Sequence, residues 1–325
     1  MTKNKLYHNA AVRSAFFSEV AIGILANTIL LLFHIFIFLH EHRPNPTDLP
    51  VGLLALTHLA MLIIMGFIGT DIFMSWERFW DTITCKWLVY LHRLVRGLTV
   101  CITCLLSVLQ AVTLSPRSSC LAKLKRTSPR HYLCSLLVLW VLYMSVSSHI
   151  FMSVIATPNL TSDSLIYVTE SCSVLPISYT LRQVFSTFLT VREFFLMGLT
   201  FVSNGYMVTV LCIHKRETQH LHSSSLALKT SPEQRATRTI LLLTSFFMVM
   251  SILDYGISAS RIMWNNDPAL YCVIILISHS YAAVSALVFI STDKRVIIFV
   301  RTMWGRTVTV YSGKDIFSTS GMNWL

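Results

Sequence analysis

Three basic side chains lie close together in an otherwise apolar stretch, YLHRLVRGL at residues 90–98. They are His92, Arg93 and Arg96. A cationic group in a membrane helix is costly, and it usually pairs with another group or marks a functional site. Guanidinium groups bind carboxylates and sulfates through charge-assisted hydrogen bonds. The stretch therefore indicates either an ion pair between helices or a site for a small polar ligand.

The composition predicts that these residues do lie in a membrane helix. The chain has 325 residues, of which 54% are hydrophobic and 13% are charged. A soluble domain has about 25% charged residues, so this chain has too few charges for a water-exposed surface. Apolar runs of about 20 residues, long enough to span a bilayer, recur along the sequence. The first run follows a polar start without a cleavage site, which predicts an uncleaved signal-anchor.

Seven apolar segments predict an all-α bundle of seven transmembrane helices. They cover residues 12–39, 49–74, 85–114, 131–155, 184–213, 239–263 and 270–291. Asp48 is a helix-start signal for the second segment. The gaps between segments are too short for a soluble domain, so residues 1–325 are predicted to form a single seven-transmembrane domain.

The distribution of Lys and Arg predicts the orientation of the bundle. Outside the spans these residues are concentrated in 40–48, 115–130, 214–238 and 292–325. Basic residues favour the cytosolic side, so we expect an extracellular N-terminus (1–11) and a cytosolic tail (292–325). The net charge of +11 then reflects topology, and no nucleic-acid partner is needed to explain it.

Two further features agree with this orientation. The N-x-[ST] sequon at Asn159 falls in a loop predicted to lie outside, where N-glycosylation occurs. Of the eight cysteines, Cys85 and Cys172 are the two that clearly fall at the outer face, which predicts a disulfide between them. Cys101 and Cys104 lie in mid-helix. They are interpreted as small packing residues rather than a metal or redox motif, since a metal site needs more ligands.

Four long stretches of the sequence carry a family resemblance. They are residues 43–62 (RPNPTDLPVGLLALTHLAML), 85–125, 231–243 (SPEQRATRTILLL) and 278–295 (SHSYAAVSALVFISTDKR). With them the chain resembles the vomeronasal type-1 receptors, which are G-protein-coupled pheromone receptors. The resemblance implies small organic ligands, including steroid-like and sulfated ones, and a G protein of the inhibitory class. It also implies the plasma membrane of vomeronasal sensory neurons.

Two motifs of rhodopsin-like receptors are absent, as is expected in this family. Asp-Arg-Tyr is missing from the third span, where VLQAVTLSP stands at 108–116, and Asn-Pro-x-x-Tyr is missing from the seventh. In the seventh span we expect Ser-Pro, but the chain has Ser285-Ala286. Proline would kink the helix. Two interpretations of its loss stay open: altered receptor activation, or a gene copy under relaxed selection.

Nearly all the ionisable groups inside the spans fall in one band. At 1.5 Å per residue, His92, Arg93 and Arg96 lie roughly 10 to 17 Å below the outer end of the third span. Glu19 of the first span lies near the same depth. The residues predicted to bind ligand are His92, Arg93, Arg96, Arg192, Glu193, Asp254, Tyr255 and His279.

The helical phase gives these side chains a direction. Cys85, His92 and Arg96 share one face of the third span, so His92 and Arg96 are predicted to point into the bundle. Arg93 lies about 100° round the helix, towards a neighbouring span.

Two interpretations of the band stay open. In a purely structural layer, Arg93 or Arg96 pairs with Glu193 or Asp254 and fixes the helix register. In a ligand cavity, apolar walls contact an organic body and Arg96 binds a sulfate or carboxylate.

Basic residues on the predicted cytosolic face are expected to contact the G protein. They are Arg117, Lys123, Lys125, Arg126, Arg235 and Arg238. Alternatively, they only set the topology and contact anionic membrane lipid. His214, His220 and His222 are interpreted as part of a solvated loop rather than a metal site.

No catalytic motif, metal site or cofactor site is recognised, so no enzyme is expected. The competing function is a transporter of ions or small molecules that uses the polar band as its path. It predicts internal repeats or broken helices. The sequence shows no internal repeat, which favours the receptor.

Overall fold

A computed structural model of the chain shows a bundle of long helices. It describes residues 10–40, 45, 47–74, 81–115, 134, 137–138, 140–141, 143–145, 147–148, 151, 154–156, 166–167, 172–174, 179–221, 232–263 and 268–302. The helices are α1 (Ala10–His40), α2 (Asp48–Met74), α3 (Thr82–Leu114), α5 (Tyr179–Leu221), α6 (Pro232–Met263) and α7 (Pro268–Thr292). Helix α4 is described in pieces between residues 134 and 151, and residues 294–302 form a short further helix.

Several of these helices can cross a membrane. Among the described residues, α1, α3 and residues 48–73 and 183–214 are long and apolar enough, and shorter apolar helical stretches cover 237–253 and 279–292. Large apolar side chains are exposed on the outside of the bundle, for example Phe201 on α5 with 71% of its surface exposed. Such a surface fits lipid rather than water, and the predicted membrane bundle is confirmed.

Helix α3 lies at the centre of the packing. It contacts α2, α5 and α6, while α1 packs on α2 and α7, and α6 packs on α5 and α7. Gly23 permits a close approach of three of these helices. A Cβ atom there would meet Leu62 at 2.7 Å and Ala283 at 3.0 Å, so the absence of a side chain lets α1 pack against α2 and α7 together.

The helix ends differ from the predicted ones for local reasons. Asp81 caps α3, because its side chain accepts the N–H of Thr84 at 2.8 Å. The helix therefore begins at Thr82, one turn before the predicted start at Cys85. At the other end of the bundle, α5 ends at Leu221 and α6 begins at Pro232. Each helix extends about two turns beyond its predicted end.

A small sheet was not predicted from the sequence. Strands β1 (Val154–Ala156), β2 (Ile166–Tyr167) and β3 (Cys172–Val174) form an antiparallel sheet in the order β1-β3-β2. Ile155 pairs with Ser173 in this sheet, so the prediction that the fourth span extends to residue 155 is wrong. Residues 154–156 are apolar, so in the sequence they look like the end of the fourth span. The residues they pair with, 172–174, lie outside that segment, so the segment alone gives no sign of a strand.

The predicted disulfide is confirmed. Cys85 and Cys172 are bonded, with their Cα atoms 5.7 Å apart. Both are fully buried and pack with Val89 and Val154. The bond fastens β3, and through it β1, to the start of α3. We call this end of the bundle the disulfide end.

Helix α7 runs unbroken through Ser285 and Ala286. Ser285 Oγ lies 3.2 Å from His58 Nδ1 of α2, and Ala286 is buried. Because Ala286 has the backbone N–H that proline lacks, the helix needs no kink here.

Candidate functional site

Two histidines join α3 to α7 inside the predicted band. The Nε2 atoms of His92 and His279 lie 3.3 Å apart, and His279 is 4% exposed. In such a bond one ring donates its N–H and the other presents a lone pair, so the two rings hold complementary tautomers. The contact agrees with the predicted inward direction of His92, and it brings together two residues that are 187 positions apart.

Arg96 lines a cavity between five helices. The other lining residues come from α2, α3, α5, α6 and α7, and they are Met61, Thr99, Val100, Met197, Phe247, Met250, Ser251, Ile277 and Tyr281. Most of the described wall residues are apolar, and among them Arg96 is the one that carries a positive charge. This position agrees with the predicted face of α3, one turn below His92.

The cavity is small in this conformation, with a volume of about 40 Å³. A drug-sized ligand occupies a pocket of roughly 300–1,000 Å³, so the walls must move to admit one. Three of the wall residues are methionines, Met61, Met197 and Met250. Methionine has an unbranched, flexible side chain that adapts to differently shaped neighbours. The cavity can therefore enlarge by side-chain rearrangement on three different helices.

Arg192 and Glu193 form an ion pair within α5. Arg192 Nη2 lies 3.1 Å from Glu193 Oε1, and both side chains are mostly buried. The guanidinium also lies over the ring of Tyr143 of α4, 4.0 Å from its centroid. Glu193 thus pairs with its own neighbour. The structural interpretation of the band had instead predicted that Glu193 or Asp254 pairs with an arginine of the third span. Adjacent residues on α5 reach each other without any movement of helices.

The packing of Tyr143 explains where this pair lies. A Cβ atom on Gly97 of α3 would overlap the Tyr143 ring, so glycine at this position lets α4 approach α3 closely. Tyr143 is 5% exposed and packs with Tyr90, Leu94 and Leu189. The ring therefore lies between α3 and the Arg192 guanidinium.

The remaining predicted ligand residues are placed differently. The side chain of Arg93 is exposed, and its position towards a neighbouring span stays a prediction. Asp254 and Tyr255 lie on α6, and their side chains are outside the described part of the structure. Glu19 lies on α1, partly buried.

Cys101 and Cys104 have the packing role that was predicted. Both are buried, and they pack with Leu196 of α5. Among the described residues no group of three or more His, Cys, Asp or Glu side chains could hold a metal ion.

Sequence analysis missed an ion pair at the end of the bundle opposite the disulfide. Arg295 donates to both carboxylate oxygens of Asp48, at 2.9 and 3.4 Å, and Asp293 lies 3.2 Å from Arg295 Nη2. Burial lowers the pKa of Arg295, but the hydrogen bonds and charges of Asp48 and Asp293 outweigh it and raise that pKa above its usual value. The pair joins α2 to the short helix 294–302, whose Phe299 packs on Phe33 of α1.

A second missed feature is a set of neutral hydrogen bonds between α3, α5 and α6. Ser107 and Thr244 both donate to Asn204 Oδ1, at 2.8 and 2.9 Å. Nearer the end opposite the disulfide, Ser115 Oγ lies 2.9 Å from Tyr206 Oη. A polar residue such as Asn204 inside an apolar span is a recognisable signal for an interhelical contact, but its partners cannot be identified from spacing.

Other predicted residues fall partly outside the described structure. Those outside it are Asn159, Arg117, Lys123, Lys125, Arg126 and His222. Arg235 and His220 lie on helices, but their side chains are not described, while Arg238 and His214 are exposed. Glycosylation and G-protein contact stay predictions.

Comparison with known proteins agrees with this architecture. The sequence profile of the Vomeronasal organ pheromone receptor family matches residues 10–302. The chain is 54% identical over 307 residues to rat Vomeronasal type-1 receptor 94 (Rattus norvegicus), covering 94% of each chain. It is 52% identical over 309 residues to mouse Vomeronasal type-1 receptor 42 (Mus musculus), covering 95% of this chain and 94% of the mouse receptor. The chain therefore belongs to the vomeronasal type-1 receptor family, a family of G-protein-coupled receptors and not of enzymes.

Proposed function

We propose that this receptor detects small organic or steroid-like molecules in the cavity beside Arg96 and activates a G protein of the inhibitory class. It does so in the plasma membrane of vomeronasal sensory neurons. The disulfide end faces outwards, Asn159 carries a glycan there, and the basic residues of the opposite end contact the G protein. The orientation rests on the distribution of Lys and Arg.

The observation that carries this proposal is the composition of the cavity wall. One guanidinium, from Arg96, is surrounded by methionine and aromatic side chains from separate helices. An apolar wall with few polar groups is the usual form of a small-molecule site, in which the polar groups orient the ligand. Arg96 would hold an acidic group, and the methionines would adapt to the apolar body.

The neighbours of Arg96 support this role. His92, one turn nearer the disulfide end, is bonded to His279, and on α5 Arg192 pairs with Glu193. These pairs lie on the disulfide side of the cavity, and Arg96 would supply a charged contact to the ligand from the cavity wall. Ligand binding would bias the bundle between two conformations through contacts that differ between them.

The proposal is tested by expressing the chain with an inhibitory-class G protein and measuring ligand-dependent nucleotide exchange. The panel should pair sulfated steroids with their unsulfated parents and include volatile organic molecules. For an acidic agonist, Arg96→Ala should raise the half-maximal concentration roughly 10- to 100-fold, as expected for a hydrogen bond to a charged group. A neutral agonist should lose much less.

Arg93→Ala provides the matched control, because Arg93 is an arginine of the same helix that lies outside the cavity wall. Equal losses for acidic and neutral agonists in Arg96→Ala would favour a structural role for the band. Absence of exchange across the panel, together with a measurable ion flux, would favour the transporter.

A further inference from the structure

The half of the bundle opposite the disulfide holds three helices together through one amide. Asn204 of α5 lies between Ser107 of α3 and Thr244 of α6. Ser107 and Thr244 are 0% and 1% exposed, and Asn204 is 8% exposed. Ser107 lies about 33 Å along α3 from Cys85 and about three turns beyond Arg96, and Thr244 lies one turn from Phe247 of the cavity wall. We call Ser107, Asn204 and Thr244 the polar latch.

Asn204 Oδ1 accepts both hydrogen bonds of the latch, one on each lone pair. All three groups are neutral. Because they are buried, losing a partner without replacement would be unfavourable. The helices are therefore held at a definite distance as long as no alternative partner is available.

Thr244 has such an alternative on its own helix. Its hydroxyl lies 2.9 Å from the carbonyl oxygen of Ile240, the same distance as to Asn204, and 3.2 Å from that of Leu241. A hydroxyl has one proton to donate. If α6 moves away from α5, Thr244 can turn that proton to Ile240 and remain hydrogen-bonded. The bond across the helices can therefore open with little cost to Thr244, which is the requirement for two accessible arrangements.

A second row of contacts lies nearer the end of the bundle. The Gln110 side-chain oxygen lies 3.5 Å from Thr237 Oγ1 of α6, and Ser115 Oγ lies 2.9 Å from Tyr206 Oη of α5. Among the described residues no ion pair joins α3, α5 and α6 in this half; the described pairs join Arg192 to Glu193 and Arg295 to Asp48 and Asp293. The polar contacts between these helices that the structure describes in this half are thus neutral hydrogen bonds.

We propose that the polar latch holds the receptor in its resting conformation, and that its opening frees α6 to separate from α5 and α3. The inference rests on the proposed function in one respect: the separated helices form the groove that the G protein enters. The latch joins α3, α5 and α6 through neutral hydrogen bonds, where an ion pair between helices could have joined them. Its strength is set by two hydrogen bonds, so single substitutions should shift the resting equilibrium measurably.

The test measures ligand-independent nucleotide exchange on the G protein, normalised to receptor at the cell surface. Thr244→Val and Ser107→Ala each remove one donor to Asn204 and should raise basal exchange roughly 2- to 10-fold, the shift expected from one net hydrogen bond. Thr244→Ser keeps the hydroxyl and should match the wild-type chain. Thr209→Ala is the control, because the Thr209 hydroxyl is exposed and donates only to Gly205 of its own helix in the described structure.

The proposal is overturned if Thr244→Val and Ser107→Ala reach the surface normally and leave basal exchange at the wild-type level. It is also overturned if Thr244→Ser or Thr209→Ala raises exchange as much as Thr244→Val. If neither the wild-type chain nor any variant raises nucleotide exchange above that of membranes without receptor, the proposed G-protein coupling is wrong. The latch is then tested separately, by the distance between α5 and α6.

That distance is measured between spin labels at Arg216 and Arg238, two exposed positions on α5 and α6, in a chain whose exposed Cys134 and Cys212 are replaced. Thr244→Val should lengthen and broaden the distance distribution without any G protein. An unchanged distribution would overturn the latch whatever the receptor couples to.

Discussion

The two halves of the bundle are joined by different chemistry. Near the disulfide end, the helices carry histidines, arginines and a glutamate, and the ion pair between described residues there, Arg192 with Glu193, lies within one helix. In the other half, neutral hydroxyl and amide groups bridge α3, α5 and α6. Charge therefore lies where a ligand could be recognised, and neutral contacts lie where helices would have to separate.

The difference follows from what each contact costs to break. Breaking a buried ion pair leaves a charge without its partner, which has a high energetic cost. Ion pairs between helices therefore resist separation of the helices. A hydroxyl that loses a distant partner can return to a carbonyl of its own helix. The neutral contacts among α3, α5 and α6 are thus better suited to break and re-form than an ion pair between two elements, such as that of Arg295 with Asp48.

The largest expected effect is at the disulfide end. Cys85→Ser should lower stability by about 4 kcal/mol, because the bond closes a long loop in the unfolded chain; the two cysteines are separated by 87 residues. The measurement is thermal unfolding in detergent together with surface expression. Cys134→Ser, at an exposed free thiol, should be neutral, and the Cys85/Cys172 double variant should be no worse than either single one. A clearly additive double variant would show that the cysteines act separately.

The next largest effect is at the opposite end, where charge does bridge two elements. Arg295→Ala should cost about 3 kcal/mol, because it leaves the buried carboxylate of Asp48 without its cation; Asp48 is 2% exposed. Unfolding midpoints should show this loss, while Lys294→Ala, at an exposed neighbour, changes little. Adding Asp48→Asn to Arg295→Ala should restore part of the stability. If it does not, the ion pair is not the reason for the loss.

A smaller effect is expected in the charged band. Tyr143→Leu should cost about 1 kcal/mol through the lost cation–π contact with Arg192, beyond the change in packing. A double-mutant cycle with Arg192→Met isolates that contact. A coupling energy near zero would mean that Tyr143 only fills the space beside Gly97.

The smallest effect is expected at Arg93. Arg93→Ala should change stability by less than about 0.5 kcal/mol, as at other exposed positions away from special contacts. Unfolding midpoints measured beside those of Tyr143→Leu would check it. A loss of stability as large as that of Arg295→Ala would contradict this expectation and would mean that Arg93 pairs with a buried group of the bundle.

The sequence predicted the helices and the charged residues well, because both leave local signals. Long apolar runs identify spans, and His92 and Arg96 stand out in such a run at a spacing that defines their face. The Cys85–Cys172 bond followed from orientation and composition together. The first two inferences use information within one segment, whereas the disulfide needed the charge distribution along the whole chain.

The partners of these residues could not be predicted in the same way. Glu193 pairs with the adjacent Arg192, and His92 meets His279 from the last span, because packing between distant segments decides which groups touch. Asp48 was interpreted as a helix-start signal, while its main partner, Arg295, was counted among the residues that set the topology. Ser107, Asn204 and Thr244 carry no charge, so they gave little signal in three apolar segments.

The division between the two halves is tested most directly by one series of nucleotide-exchange curves. Wild type, Arg96→Ala and Thr244→Val are compared with an acidic agonist from the screen, from zero to saturating concentration. We expect Arg96→Ala to shift the curve to higher concentration with unchanged basal exchange, and Thr244→Val to raise basal exchange while the response to agonist is kept. If Arg96→Ala changes basal exchange as Thr244→Val does, or if Thr244→Val abolishes the response to agonist, the two halves do not have separate roles.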